Sequence, residues 1–227
     1  MTDYVVVDDP AAEAADRVAA FVRAGAHIAL TGGSTPRGAY ERLASFDLDW
    51  SRCTLWFGDE RCVAPDHELS NYAMARAALL DRIDGAAPVH RMRGELGPAK
   101  AADEYERELR AELPGAMPVL DVVLLGMGPD GHCASLFPNQ RSLEERRRAV
   151  IGVERAGFPP FVPRVTLTLP AINAGCEVIF LVAGHDKADA VARAAREPGA
   201  GAPASLVAPD SGLLTWLLDP AAAARLP

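Results

Sequence analysis

The residue best suited to moving a proton is His132, set in the run Asp121-Val-Val-Leu-Leu-Gly126-Met-Gly128-Pro-Asp130-Gly131-His132-Cys133-Ala-Ser135-Leu-Phe137-Pro138. Imidazole titrates nearer neutral pH than any other unperturbed side chain, so it can take a proton from water and return one to a leaving group. An apolar strand here runs into Gly-x-Gly and presents Asp-Gly-His on a tight turn. A lone histidine is more often a structural residue; the strand-end position and the flanking glycines favour the chemical reading. Asp130, two residues earlier, is placed to orient the ring or stabilise its cation, although two residues on a turn need not touch. Cys133 is set aside as a nucleophile because sequence neighbours point apart. Ser135 is set aside because no G-x-S-x-G elbow surrounds it.

Two further strand ends carry chemistry. Leu30-Thr31-Gly32-Gly33-Ser34-Thr35-Pro36 passes from an apolar strand through two glycines into a helix start, where free N–H groups and the hydroxyls of Ser34 and Thr35 suit a phosphate. It is neither a Walker A loop nor a dinucleotide fingerprint, since no G-K-[ST] follows and the glycine spacing is wrong. The alternative is an ordinary capped turn between strand and helix. Trp56-Phe57-Gly58-Asp59-Glu60-Arg61 sets three charged residues directly after another apolar strand, where open parallel sheets hold their ligands. The bland reading is a surface ion-pair cluster, and a metal site lacks further ligands. Downstream, Asp66, Ser70 and Asn71 are read as turn and capping residues. Arg164, opening Arg164-Val-Thr-Leu-Thr-Leu, and Lys187, just past the strand ending at Val182, add two cations able to hold a phosphate.

The elements that must position these groups follow from patterning. Apolar runs at Tyr4–Val7, His27–Leu30, Thr54–Phe57, Val119–Leu125, Val150–Val153, Val165–Leu169 and Val178–Val182 are continuous rather than alternating, as strands buried on both faces are. Between them lie helical stretches at Pro10–Arg23, Pro36–Ala44, Ser70–Leu80, Pro98–Leu113 and Asp186–Arg196. Pro10 and Pro36 suit first helical positions, with Asp9 and Thr35 as caps. The alternation predicts an α/β fold: a mainly parallel sheet with helices on both faces. At 227 residues, 49% hydrophobic and 24% charged, the chain fits one domain spanning 1–227. Pro198–Pro203 is the most linker-like stretch, with too little chain beyond it for a second domain.

Composition narrows the partners. A net charge of −8 repels nucleic acid and anionic membranes overall, so any phosphate site must be a local island of N–H groups, Arg and Lys. Arg141–Arg148, with Glu144 and Glu145 embedded, is read as a solvated mixed-charge face. No run reaches the roughly 18–20 apolar residues of a membrane span, and the N-terminus lacks the pattern of a signal peptide, so a cytoplasmic protein is expected. Cys53, Cys62, Cys133 and Cys176 form no C-x-x-C pair and no zinc-ligand pattern, and are expected as reduced thiols.

Taken together, Thr31-Gly-Gly-Ser-Thr-Pro36, Gly58-Asp-Glu-Arg61 with Ser70-Asn-Tyr72, the Gly126–Pro138 run and Pro163-Arg-Val-Thr-Leu-Thr168 resemble the 6-phosphogluconolactonase family, in that family's order from Leu30 to Lys187. The resemblance implies a modified Rossmann-like fold shared with glucosamine-6-phosphate deaminases. It also implies hydrolysis of 6-phospho-D-glucono-1,5-lactone in the oxidative pentose phosphate pathway, without metal or organic cofactor. His132 matches the family's general base, with Asp130 and Asp59 as the carboxylates available to assist it. Gly32, Gly33, Ser34, Thr35, Arg61, Arg164 and Lys187 match phosphate-binding positions. His185, between Gly184 and Lys187, is bulkier than the family pattern leads one to expect. The oxyanion is assigned either to the N–H groups of Gly128–Gly131 or to those of Gly32–Gly33.

Two rival readings stand beside this one. An amino-sugar phosphate deaminase/isomerase needs a further carboxylate after the histidine, and no acid follows His132 until Glu144; ammonia release would reveal it. A non-catalytic sugar-phosphate sensor needs a partner domain for which no segment is spare, and would bind without turnover. The expected partner is a small-molecule substrate, handled by a monomer or small homo-oligomer.

Overall fold

The computed structural model describes residues 2–83, 87–197, 199 and 202–227. Its strands are β1 (Thr2–Val6), β2 (His27–Leu30), β3 (Thr54–Phe57), β4 (Asp59–Arg61), β5 (Val122–Leu125), β6 (Val150–Val153), β7 (Arg164–Leu167), β8 (Glu177–Val182) and β9 (Leu213–Leu218). Its α-helices are α1 (Pro10–Ala24), α2 (Ser34–Leu43), α3 (Asn71–Ala75), α4 (Pro98–Glu112), α5 (Leu169–Asn173) and α6 (Ala188–Arg196).

Six strands form a fully parallel sheet in the order β1-β9-β8-β5-β2-β3. Every residue of β5 is buried: Val123 and Leu125 join the core under α4 and α6, Val122 and Leu124 the core under α1 and α2. Helices therefore cover both faces, as continuous apolar strands require. From β2 the chain steps outward to β3, whereas from β5 it steps the other way to β8. The loops after β2 and β5 thus diverge and leave a crevice at the sheet's switch point.

Two features depart from the sequence reading. The runs at 150–153 and 165–169 do not extend the parallel sheet; β6 and β7 pair antiparallel, with β4 on the other side of β7, in a second three-stranded sheet. Hydrophobic continuity reports burial on both faces, not strand direction, so it could not separate the two sheets. β4 and β9 went unread: β4 is three charged residues of low strand propensity, paired by tertiary context.

The helices start nearly where expected. Asp9 caps α1 by accepting from Ala12 N at 3.0 Å. Thr35 is not the cap of α2. That helix begins at Ser34 with Gly33 as its cap and no side-chain cap hydrogen bond, so its first amides have no side-chain acceptor from the cap. Ser70 caps α3, whose continuation widens into a π turn over Arg76–Leu80. Arg148, at the end of the mixed-charge run, pairs with Glu106 and Asp103 of α4. Pro198, Ala200 and Gly201 of the linker-like stretch lie outside the described residues. No described helix is long and apolar enough to cross a membrane.

Candidate active site

Two buried tyrosines prepare the strand ends. Tyr40 of α2 accepts from Thr31 N at 2.8 Å and donates to Thr31 O at 2.9 Å. Tyr105 of α4 does the same to Phe57, at 2.7 and 3.0 Å. Burial pushes both phenols well above their usual range, keeping them neutral and able to donate and accept at once. The Gly-Gly-Ser-Thr and Gly-Asp-Glu-Arg segments leave the sheet from these clamps.

A cleft of about 340 Å³ opens at the switch point, a size suited to a small sugar phosphate. Its walls bring together Gly32, Gly33, Ser34 and Thr35 after β2, Asp59 and Arg61 on β4, His132 in the turn after β5, and Lys187 before α6. Residues from four separate strand ends meet here.

The turn after β5 is closed by its own amides. Gly128 N donates to His132 O and Gly131 N to Gly128 O, each at 2.9 Å, and His132 N donates to Asp130 Oδ1 at 3.2 Å. This curl folds Asp130 onto His132, and the carboxylate oxygen lies 2.6 Å from Nδ1. Two residues on one turn do touch. With a carboxylate facing Nδ1, that nitrogen carries the proton, and Nε2 has no partner among the described residues. Phe137 and Phe158 pack around the ring with centroids 4.9 and 5.5 Å away. Only glycine fits at position 128: a Cβ there would come within 2.2 Å of both His132 Cε1 and Nδ1.

Asp59 makes no hydrogen bond to the histidine. Its oxygens accept from Asn71 Nδ2 at 3.0 Å and Ser135 Oγ at 2.6 Å. Asn71 also fixes the neighbouring loop, since a Cβ on Gly32 would lie 2.0 Å from Asn71 Oδ1. Glu60 faces away from the cleft and serves the same corner. Its carboxylate accepts from the backbone N–H groups of Arg61, Asn71 and Tyr72 and from Ser70 Oγ, all within 2.9 Å.

The cations divide. Arg61 lines the cleft and donates to Leu69 O at 2.6 Å, while its buried Nε finds no acceptor among the described residues. Lys187 also lines the cleft, its Nζ 3.0 Å from Asp186. His185 sits beside it in a short 3₁₀ turn and does not displace it. Arg164 is buried and is not brought to the cleft surface. Its guanidinium donates to Val162 O at 3.2 Å and Pro160 O at 2.6 Å, tethering the segment whose Phe158 and Pro159 form a wall. Burial and the neighbouring Arg61 charge bring Arg164 down to about 10 from the usual arginine value.

Burial pushes the Cys133 thiol far up, so no thiolate competes with His132. Among the described residues, no three His, Cys, Asp or Glu side chains gather closely enough to hold a metal ion.

Residues 4–216 match the family model described as glucosamine-6-phosphate isomerases/6-phosphogluconolactonase. The chain belongs to that family. A 6-phosphogluconolactonase of a Nostoc species is 45% identical over 206 residues, covering 88% of this chain and 84% of the relative. The human 6-phosphogluconolactonase is 42% identical over 179 residues, covering 78% and 69%. The structure of the Trypanosoma brucei 6-phosphogluconolactonase superposes with a TM-score of 0.89 at 30% identity, covering 100% of this chain and 99% of that one. Within its family, this chain is an enzyme of the 6-phosphogluconolactonase type. A monomeric glucosamine-6-phosphate deaminase, with a TM-score of 0.82 at 22% identity, shares the fold.

Asn71, Phe158 and Pro159 line the cleft without having been singled out as site residues by sequence. Asn71 carried a signal, its place in Ser70-Asn-Tyr72 after the Asp-Glu-Arg strand. Phe158 and Pro159 carried none.

Proposed function

We propose that this enzyme hydrolyses 6-phospho-D-glucono-1,5-lactone to 6-phosphogluconate, the lactone step of the oxidative pentose phosphate pathway, with His132 as general base. One observation carries the reading: Asp130 lies 2.6 Å from His132 Nδ1, which leaves Nε2 of a cleft-lining imidazole as a proton acceptor. The phosphoryl group docks on the unused amides and hydroxyls of Gly33, Ser34 and Thr35, with Arg61 and Lys187 supplying charge. Arg164 contributes from behind, adding positive potential and holding the Phe158–Pro159 wall.

Binding at the phosphate orients the lactone carbonyl, which sits remote from that anchor. His132 Nε2 takes a proton from water as its oxygen bonds to the carbonyl carbon. The oxyanion then reforms the carbonyl and expels the ring oxygen, which takes the proton back from the imidazolium. Asp130 keeps the ring in the correct tautomer and offsets its transient charge. The N–H groups of Gly128, Gly131 and His132 are already committed within the turn, which leaves Asp130 N–H on that side and Gly32 N–H on the other, neither with an acceptor among the described residues, to hold the oxyanion. Asp59 supplies a fixed negative edge beside this centre. The substrate is the only partner the reading needs, and the enzyme acts in the cytoplasm as a monomer or small homo-oligomer.

The test is 6-phosphogluconate formation above the spontaneous rate. Replacing a general base costs on the order of 10²–10⁴-fold, so His132→Asn should lose that much kcat with KM little changed. Near-normal kcat in the folded variant would remove His132 from the reaction.

A further inference from the structure

Asp59, which lines the cleft, and Asp130, which backs the cleft-lining His132, differ in what is left free on them. Asp130 is committed to His132, whereas Asp59, only 5% exposed, accepts one hydrogen bond on each oxygen. Neither of its donors has slack. Asn71 Nδ2 also donates to Asp59 O at 2.9 Å, and the Asn71 N–H is held by Glu60 Oε1 at 2.7 Å. Ser135 N donates to Thr166 Oγ1 at 3.1 Å, and Thr166 is the register partner of Asp59 across β4 and β7. The carboxylate is therefore fixed in angle as well as in position.

An amide NH₂ can only donate, so the Asp59 oxygen facing Asn71 serves as an acceptor. A carboxylate oxygen takes two hydrogen bonds, which leaves one acceptor direction on each oxygen of a group that lines the cleft. A fixed negative acceptor repels a phosphoryl group and suits a hydroxyl. Ser135 contributes the shorter of the two side-chain restraints and comes from the segment that also carries His132, so it sets the carboxylate relative to the base.

We propose that Ser135 is a specificity-determining residue: by holding Asp59 Oδ2, it aims that carboxylate to accept a hydrogen bond from one ring hydroxyl of the lactone. The inference rests on the reading of the cleft as a sugar-phosphate lactone site. It assigns Ser135 a positioning role, consistent with an Oγ already committed to Asp59.

The experiment measures kcat and KM for wild type and Ser135→Ala on 6-phosphogluconolactone and on the three 1,5-lactone 6-phosphates lacking the hydroxyl at C2, C3 or C4. Ser135→Ala should lower kcat/KM on the full substrate about tenfold, chiefly through KM, the size expected for one hydrogen bond to a charged acceptor. On one of the deoxy lactones the same substitution should cost almost nothing, which identifies the hydroxyl that Asp59 reads. Equal losses on all four substrates would overturn the proposal while leaving the hydrolytic reaction intact. Asp59→Asn keeps the shape of the side chain and, beyond a loss common to all four substrates from the missing charge, should show its smallest loss on the same deoxy lactone; should Ser135→Ala fail to fold, equal losses in Asp59→Asn overturn the proposal in its place. A wild-type enzyme inactive on the full lactone would sink the reaction itself, and this inference with it.

Discussion

The carboxylate that lines the cleft, Asp59, and the one that backs its histidine, Asp130, are built in opposite ways. Asp130 meets its histidine two residues away, inside a turn closed by its own amides. Asp59 meets Asn71 and Ser135 across 12 and 76 positions of sequence, at a corner where β4, the start of α3, β7 and the segment after His132 converge. A local turn places a carboxylate–imidazole pair wherever the sheet puts the strand end. A corner drawn from four segments exists only once both sheets are packed. The dyad should therefore be sensitive to the backbone of one turn, and the Asp59 corner to the stability of the whole molecule.

Three substitutions test this difference. Gly128→Ala forces a methyl into the imidazole and should cost about as much activity as loss of the base, on the order of 10²–10⁴-fold in kcat, with the rest of the fold retained. Unchanged kcat there would show that the turn tolerates a displaced ring. Asn71→Ala leaves Asp59 O and Oδ1 without their donor and should destabilise the fold by about 1–3 kcal/mol in denaturant unfolding, because the loss falls on buried acceptors. A stability change near zero would mean that the corner is not coupled to global folding. Asp9→Ala removes the α1 cap and an exposed pairing with Arg42, neither of which lines the cleft, and should cost about 1 kcal/mol with kcat unchanged. A fall in kcat would show that stability alone leaks into turnover and would weaken both other comparisons.

The same contrast explains what could be read from sequence. Asp130 and His132 were legible as candidates, though not their contact, because strand, glycines, acid and base lie within a dozen residues, and the Gly-Gly-Ser-Thr turn because a strand end meets a helix start in one short run. The six parallel strands were legible where apolar runs alternate with amphipathic helices. The Asp59 corner was not, because nothing in the spacing of Asp59, Asn71 and Ser135 reveals that β4 turns away from the parallel sheet. Arg164 illustrates the limit. Its type and position suit a phosphate, yet its guanidinium is committed to the carbonyls of Pro160 and Val162, an arrangement that depends on the path of a loop with no pattern of its own. The cap of α2 shifted for a related reason: Gly33 adopts a φ of 115°, open to glycine and costly for other residues, and starts the helix early.

Gly58 is the joint at which the chain passes from one sheet into the other. Its N–H donates to Leu30 O at 2.7 Å on the parallel sheet, and its carbonyl accepts from Leu167 N at 2.8 Å on the antiparallel one. The small sheet therefore has no loose seam beside the cleft: to swing away it must unfasten a peptide unit whose next residue is Asp59. An opening at this seam would break these two hydrogen bonds and displace Asp59 and its partners in the same event.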